Sequence, residues 1–202
     1  MAKLYSIGYA NLKKEVFLEH LRANGITALA DVRSMPYSKA FSEYNREVLA
    51  DYLKCNGISY VYLGKELGPR SENRQHYDRH GQVQFSLLNQ TDIFKQGVHR
   101  LEAGLAKGYQ IAMMCAEKMP ETCHRSLLIS EHMLNDRKIN TSHIHQNGAV
   151  EDHLSMRERI ASALGMSGDM FSDKNDVEQE AINLCIKKYA FTLPENSPIL
   201  GK

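Results

Sequence analysis

Hydrophobic positions along the chain switch repeatedly between two periods. Short apolar runs at Lys3–Gly8 (KLYSIG), Ile26–Val32 (ITALADV), Ile58–Leu63 (ISYVYL), Tyr109–Cys115 (YQIAMMC) and Lys138–His145 predict five strands. Helical spacing fills the intervals. Leu12–Arg22 places Val16, Phe17, His20 and Leu21 on one stripe, and Thr91–Lys107 does the same with Ile93, Phe94, Val98, Leu101 and Leu105. Asn45–Cys55 predicts a further helix, and Pro120 opens another that runs to about Asn135. Asn24-Gly25, Asn56-Gly57 and Gly108 supply the stops. YQIAMMC carries so little polar character that it belongs at the centre of a sheet, buried on both faces.

Strands alternating with helices imply βαβ units. The expected fold is α/β: a three-layer α/β/α domain with a mostly parallel, Rossmann-like or flavodoxin-like sheet. That domain covers residues 1–161. Residues 162–202 form a linker (GMSGDMFSDKND) and a C-terminal helical extension, Val177–Tyr189, after a short helix at Ser155–Leu164. One stretch has little periodicity: GKELGPRSENRQHYDRHGQVQF is long, polar and rich in arginine, as functional loops often are.

Composition narrows the function classes. A net charge of +1 gives no global attraction to nucleic acid or membrane, although a local basic face is compatible with it. No apolar run is long enough to span a bilayer, and MAKLYSIGYA lacks the apolar core of a signal peptide. The expectation is a cytoplasmic protein with no membrane partner, whose cysteines at 55, 115, 123 and 185 are reduced thiols.

In parallel sheets, ligands bind beyond the carboxyl ends of the strands. The five predicted strand ends carry Asp31, Arg33, Ser38, Tyr44, Arg70, Cys115, Glu117, Cys123, His124, Arg125, His143 and His145. Arg33, Arg70 and Arg125 come from three separate ends and suit an anion, since guanidinium forks bind phosphate or carboxylate bidentately. The helix start at Pro120 would add free N–H groups. Asp31 is a candidate base or nucleophile, or the internal partner of an arginine. Cys123, in the first turn of its predicted helix beside His124 and Arg125, is a candidate thiolate nucleophile. Cys115 and Cys123 could instead hold zinc with His143 and His145. Neither a Walker A loop nor a GxGxxG fingerprint is present. An arginine five residues after a cysteine is also missing, because Pro120 and Leu128 stand at those positions.

The succession SIGYAN, DVRSMPYSKAFSEYN, LGKELGPR, MMCAEKMPETCHRSLL and HIHQNG, from about Lys3 to His153, resembles the DUF488 family of small bacterial and archaeal α/β proteins of unknown function. Its most specific element is C-A-E-x-x-P-x-x-C-H-R, matched by Cys115, Glu117, Pro120, Cys123, His124 and Arg125; Asp31, Arg33, Pro36 and Ser38 match D-V-R-x-x-P-x-S. One departure is visible: Gly8-Tyr9-Ala10 stands where Gly-His-Ser or Gly-His-Thr is common in the family. The resemblance implies a fold and a site but no reaction.

From these residues the leading expectation is a hydrolase or transferase acting on a phosphate-bearing small molecule, such as a nucleotide, or on nucleic acid, without a cofactor. Asp31, Glu117, His124 and Cys123 would be catalytic. Arg33, Arg70, Arg125, Ser38, Tyr9 and Tyr44 would bind substrate, with Tyr9, Tyr37 and Tyr44 stacking on a base. A thiol- or zinc-dependent protein is the second expectation. A non-catalytic module, with a partner protein or second copy docked on the C-terminal helix, is the third.

Overall fold

Strand β4 (Ile111–Cys115) is buried along its whole length, as a run without a charged position requires. The computed structural model describes residues 2–166, 173–194, 197 and 199; residues 167–172 of the expected linker lie outside this set. Around β4 the sheet has six strands in the order β3-β2-β4-β1-β5-β6. Strands β1 (Leu4–Gly8), β2 (Ala28–Asp31), β3 (Ser59–Tyr62), β4 and β5 (Thr141–Ile144) run parallel. The sixth, β6 (Val150–Asp152), pairs antiparallel with β5 and escapes sequence reading because it is three residues long and mostly polar.

Two hydrophobic clusters sandwich the sheet. Helices α1 (Lys14–Ala23) and α2 (Arg46–Cys55) cover one face, burying Phe17, Leu18, Leu21, Leu49 and Leu53 against Ile7, Leu29, Ala112, Met114 and Ile144. The other face carries two short helices, α3 (Gly64–Leu67) and α4 (Phe85–Leu88), then α5 (Asp92–Ala106), α6 (Glu131–Arg137), α7 (His153–Ala163) and α8 (Lys174–Tyr189). The fold is thus a three-layer α/β/α arrangement on a mostly parallel sheet. Helix starts follow local chemistry: the Thr91 hydroxyl accepts the Phe94 N–H ahead of α5, and the Asp152 carboxylate accepts that of Ser155 at α7. Helix α8 docks by burying Ala181, Ile182 and Cys185 in the core that holds Met156 and Ile160.

Two sequence expectations change here. The arginine-rich stretch after β3 is not one irregular loop: it contains α3, α4, a 3-10 turn at Arg74–His76 and a bridge between Tyr77 and Val83. Nor does a helix open at Pro120. Pro120–Thr122 is a single 3-10 turn and Cys123 is extended (φ −128°, ψ 142°). A wide π-type turn, Arg125–Ser130, then leads into α6. Proline's fixed φ suits a first turn of either kind, so sequence alone could not separate them.

The connections leaving β1 and β4 cross the sheet in opposite directions, to β2 and β5 respectively. Their carboxyl ends therefore form the switch point at which such sheets bind ligands. Gly8, which ends β1, sits directly under the following loop, and any Cβ there would collide with the Glu117 carbonyl oxygen.

Candidate metal centre

Four donor atoms converge at the carboxyl end of β4. One ligand atom each from Cys115, Glu117, Cys123 and His124 lies within 4.8 Å of the others, the only such group among the described residues. Cys115 ends the strand, Glu117 rides the loop over Gly8, and the extended Cys123 and helical His124 follow the 3-10 turn. The break between turn and helix folds Cys123 and His124 back toward the strand end.

The imidazole is oriented by the backbone. Its Nε2 lies 2.9 Å from the Val32 carbonyl oxygen, which can only accept, so Nε2 carries the hydrogen and Nδ1 presents a lone pair in the neutral ring. Nδ1 stands 3.6 Å from the Cys115 sulfur and 3.7 Å from that of Cys123. Zinc bonds of about 2.3 Å to sulfur and 2.0–2.1 Å to nitrogen at tetrahedral angles require an S···N edge of about 3.6 Å.

Glu117 is the odd member. Its Oε2 accepts from the Cys115 thiol at 2.6 Å and lies 3.1 Å from the Cys123 sulfur. A tetrahedral ion shared by both groups would need an S···O edge of about 3.5 Å, so the carboxylate would retreat from the sulfurs on metal binding. As the exposed residue of the four, it has room to do so.

The cluster redistributes protons. Burial drives the Cys115 thiol well above its ordinary range, and the neighbouring Cys123 adds to the effect. Burial alone would raise Cys123 too, but the Cys115 hydrogen bond, Arg125 and His124 outweigh it and hold Cys123 well below. His124 moves up despite its burial, because Cys123 and Glu117 favour the imidazolium. Glu117 is exposed as a residue, but its carboxyl group turns in among the sulfurs, and that desolvation, followed by the Cys123 charge, moves it up.

A cleft of about 230 Å³ opens on this cluster. Cys115, Glu117 and His124 form one side; Arg33, Met35, Arg70 and Phe191 contribute to the rest.

The other expected site residues lie elsewhere or are already engaged. Asp31 is not a free base: its carboxylate is fully buried, paired with Arg33 at 2.6 Å and hydrogen-bonded by the Tyr60 hydroxyl at 2.6 Å. Arg33 spends its guanidinium on Asp31, the Tyr44 carbonyl and the Tyr9 hydroxyl. Arg125, 1% exposed, donates to the Glu117 and Lys118 carbonyls at 2.8 and 3.1 Å and clamps the loop that presents Glu117. Three converging arginines therefore do not form: two are built into the protein, and Arg70 alone is exposed. Tyr9 and Tyr44 are buried and stacked on each other, 4.2 Å between centroids, rather than offered to a base. Tyr37 is exposed, its hydroxyl held by Glu47. Ser38 stays within its own turn, donating its N–H to Asn45 and accepting that of Phe41.

His143 and His145, expected beside the cysteines, are also committed elsewhere. His145 pairs with Glu151. Both ring nitrogens of His143 are used, Nδ1 by Ser6 at 2.7 Å and Nε2 by His153 at 2.9 Å. His153 continues to Glu131 at 2.8 Å, which also receives Arg157. With neutral rings, every hydrogen in this buried chain points toward Glu131. Sequence reading names Glu117 and His124 as catalytic candidates but not as donors grouped with the two cysteines, a grouping readable only once the break between the 3-10 turn and the helix is known.

Burial, His153 and Arg125 hold the His143 pKa well below its ordinary value. The unfolded chain then takes up a proton near pH 6.5 that the fold refuses. Stability should be full above that pH and fall by up to about 1.4 kcal/mol per pH unit below it. Denaturant titrations from pH 7.5 to 5 should show this slope, flattened in H143Q; an equal slope in both proteins would remove His143 as its source.

A family model described as "Domain of unknown function DUF488" matches residues 13–131, more than half of the chain. The chain belongs to the DUF488 family. No curated protein and no solved structure matches it. The DUF488 match takes in all four donors, whereas Phe191 and Tyr189 of the cleft wall lie beyond it. No helix of this DUF488 protein, among the described residues, is long and apolar enough to cross a membrane.

Proposed function

We propose that this DUF488 protein is a zinc-dependent enzyme in which Cys115, Cys123 and His124 hold the ion. Glu117 closes the ligand set at rest and carries protons when substrate enters the cleft. The observation that carries this reading is the aim of His124. A cysteine–histidine nucleophile pair needs the ring directed at one sulfur, within ordinary hydrogen-bonding reach. Here Nδ1 faces both sulfurs at nearly equal distance, 3.6 and 3.7 Å, as a shared ion between them demands. Two thiolates and an imidazole also suit zinc better than the oxygen-preferring divalent ions.

When bound, zinc would supply Lewis acidity and activate water. The chain's own groups supply the rest. The Val32 carbonyl fixes the His124 tautomer, and Arg125 fixes the backbone that carries Glu117. The carboxylate, already displaced from tetrahedral ligand geometry, is the group free to accept a proton and return it to a leaving group.

The test is metal content and spectrum. Protein purified without chelator should carry close to one zinc per chain. Cobalt(II) exchanged into the site should give the intense visible bands of tetrahedral coordination together with thiolate-to-metal charge transfer. Protein with no bound metal, unable to take up cobalt, and with one rapidly alkylated cysteine would replace this reading with a thiol nucleophile at Cys123.

A further inference from the structure

We propose that the segment following α8 is part of the substrate site and holds Arg70 in place to bind an oxyanion group, phosphate or carboxylate, of a small substrate. This names the substrate class of the zinc site above and rests on that reading for the reaction, though not for the anion contact itself.

The segment is bound along its backbone. Val83 donates its N–H to the Phe191 carbonyl and Leu193 donates to Gly81, both at 2.9 Å, while Gln82 and Thr192 form an antiparallel bridge. The Gln82 side chain also donates to the Lys187 and Ala190 carbonyls. These bonds set the Phe191 ring under the Arg70 guanidinium, 4.7 Å from its carbon to the ring centroid. An arginine stacked this way loses side-chain freedom before any ligand arrives, and its edge N–H groups remain available.

Arg70 differs from the other arginines near the cleft. Arg33 and Arg125 are buried and their terminal guanidinium nitrogens are held by internal acceptors. Arg70 is exposed and has no carboxylate partner among the described residues, only its backbone N–H being bound, by Ser34. It lines both the 230 Å³ cleft on the metal cluster and a neighbouring groove of about 640 Å³. The groove carries two carboxylates, Glu66 and Glu72, against Lys65, whereas the cleft carries Glu117 alone, so an anion at Arg70 is favoured on the cleft side that His124 also lines. A chain of net charge +1 and a cleft of this size suit a small molecule better than a nucleic-acid backbone.

Calorimetric titration of the full chain with phenyl phosphate, benzoate and neutral benzyl alcohol tests the assignment, with zinc content measured on the same samples. At least one anion should bind clearly tighter than the alcohol. R70A should weaken it by about tenfold or more, the loss expected for a charged fork contact, and R70K by less. F191L, which frees the guanidinium, should weaken it several-fold without changing zinc content. If R70A proves too unstable to titrate, R70K and F191L decide. Equal binding of anion and alcohol, no binding of either anion, or wild-type affinity in R70A (in R70K and F191L, should R70A not fold) would overturn the proposal. Zinc present without anion binding would remove Arg70 and leave the metal centre standing. Anion binding lost in R70A but no zinc would do the reverse.

Discussion

Replacing Cys123 with serine should abolish stoichiometric zinc while leaving a folded chain. Cys123 is buried, and its thiol is held far toward thiolate by Cys115, Arg125 and His124. A serine hydroxyl in the same place keeps its proton at neutral pH and is a poor zinc ligand. Losing one of three preformed ligands should cost more than the roughly 10–100-fold that changes to outer-shell partners produce. Competition with a chromophoric chelator measures the loss directly. C55S is the control: Cys55 is exposed at the end of α2, remote in sequence from the cluster and absent from it, and should keep wild-type affinity. One zinc bound at wild-type affinity by C123S would end the metal reading. In the same titration, E117Q should still bind zinc, because the two sulfurs and the imidazole form the site without it.

The second large effect is on stability. D31A should destabilise the fold by about 3–5 kcal/mol, because it strands the buried Arg33 guanidinium without its counter-charge. For a chain of this size that is a fall in Tm of about 10 °C. The loss also releases the Tyr60 hydroxyl from its acceptor. The double variant D31A/R33M should recover a large part of the stability, since removing both charges leaves no unpaired ion. Thermal unfolding of the two variants decides the matter. A D31A protein as stable as the wild type would mean that Asp31 is not the counter-ion the geometry makes it. The same residue read from sequence as a candidate base thus becomes a structural pillar beneath the loop that presents Val32 to His124.

Much of the architecture was legible because apolar spacing reports backbone geometry locally. The run IAMMC could only be an inner strand, and the stripe Phe94, Val98, Leu101 could only be a buried helix face. Failures came where local signals were ambiguous or short. Val150–Asp152 pairs by its backbone while its side chains look like a loop. Pro120 marks a turn that ends after three residues, leaving Cys123 extended.

For the site, sequence placed Cys115, Glu117, Cys123, His124 and Arg125 in one motif at a strand end but could not divide the labour among them. Residues close in sequence have directions set by single φ and ψ angles. One extended residue at Cys123 turns a helix-borne thiol into a member of a four-donor cluster. Arg33 and Arg125 have the same chemistry as Arg70. Only burial and internal pairing distinguish the two that brace the fold from Arg70, which stands exposed at the cleft.

What the sequence by itself determined, then, is the alternation of strands and helices, the central strand, the family and the edge of the sheet on which the polar residues collect. Those follow from periodicity and from spacing within a motif, both properties of the chain near one position. The tertiary structure alone decided that His124 rather than His143 meets the two sulfurs, that Asp31 is satisfied by Arg33, and that Phe191 lies under Arg70. Each of these depends on which distant segments share a few ångströms, and that proximity is set by strand order and packing, which no local pattern encodes.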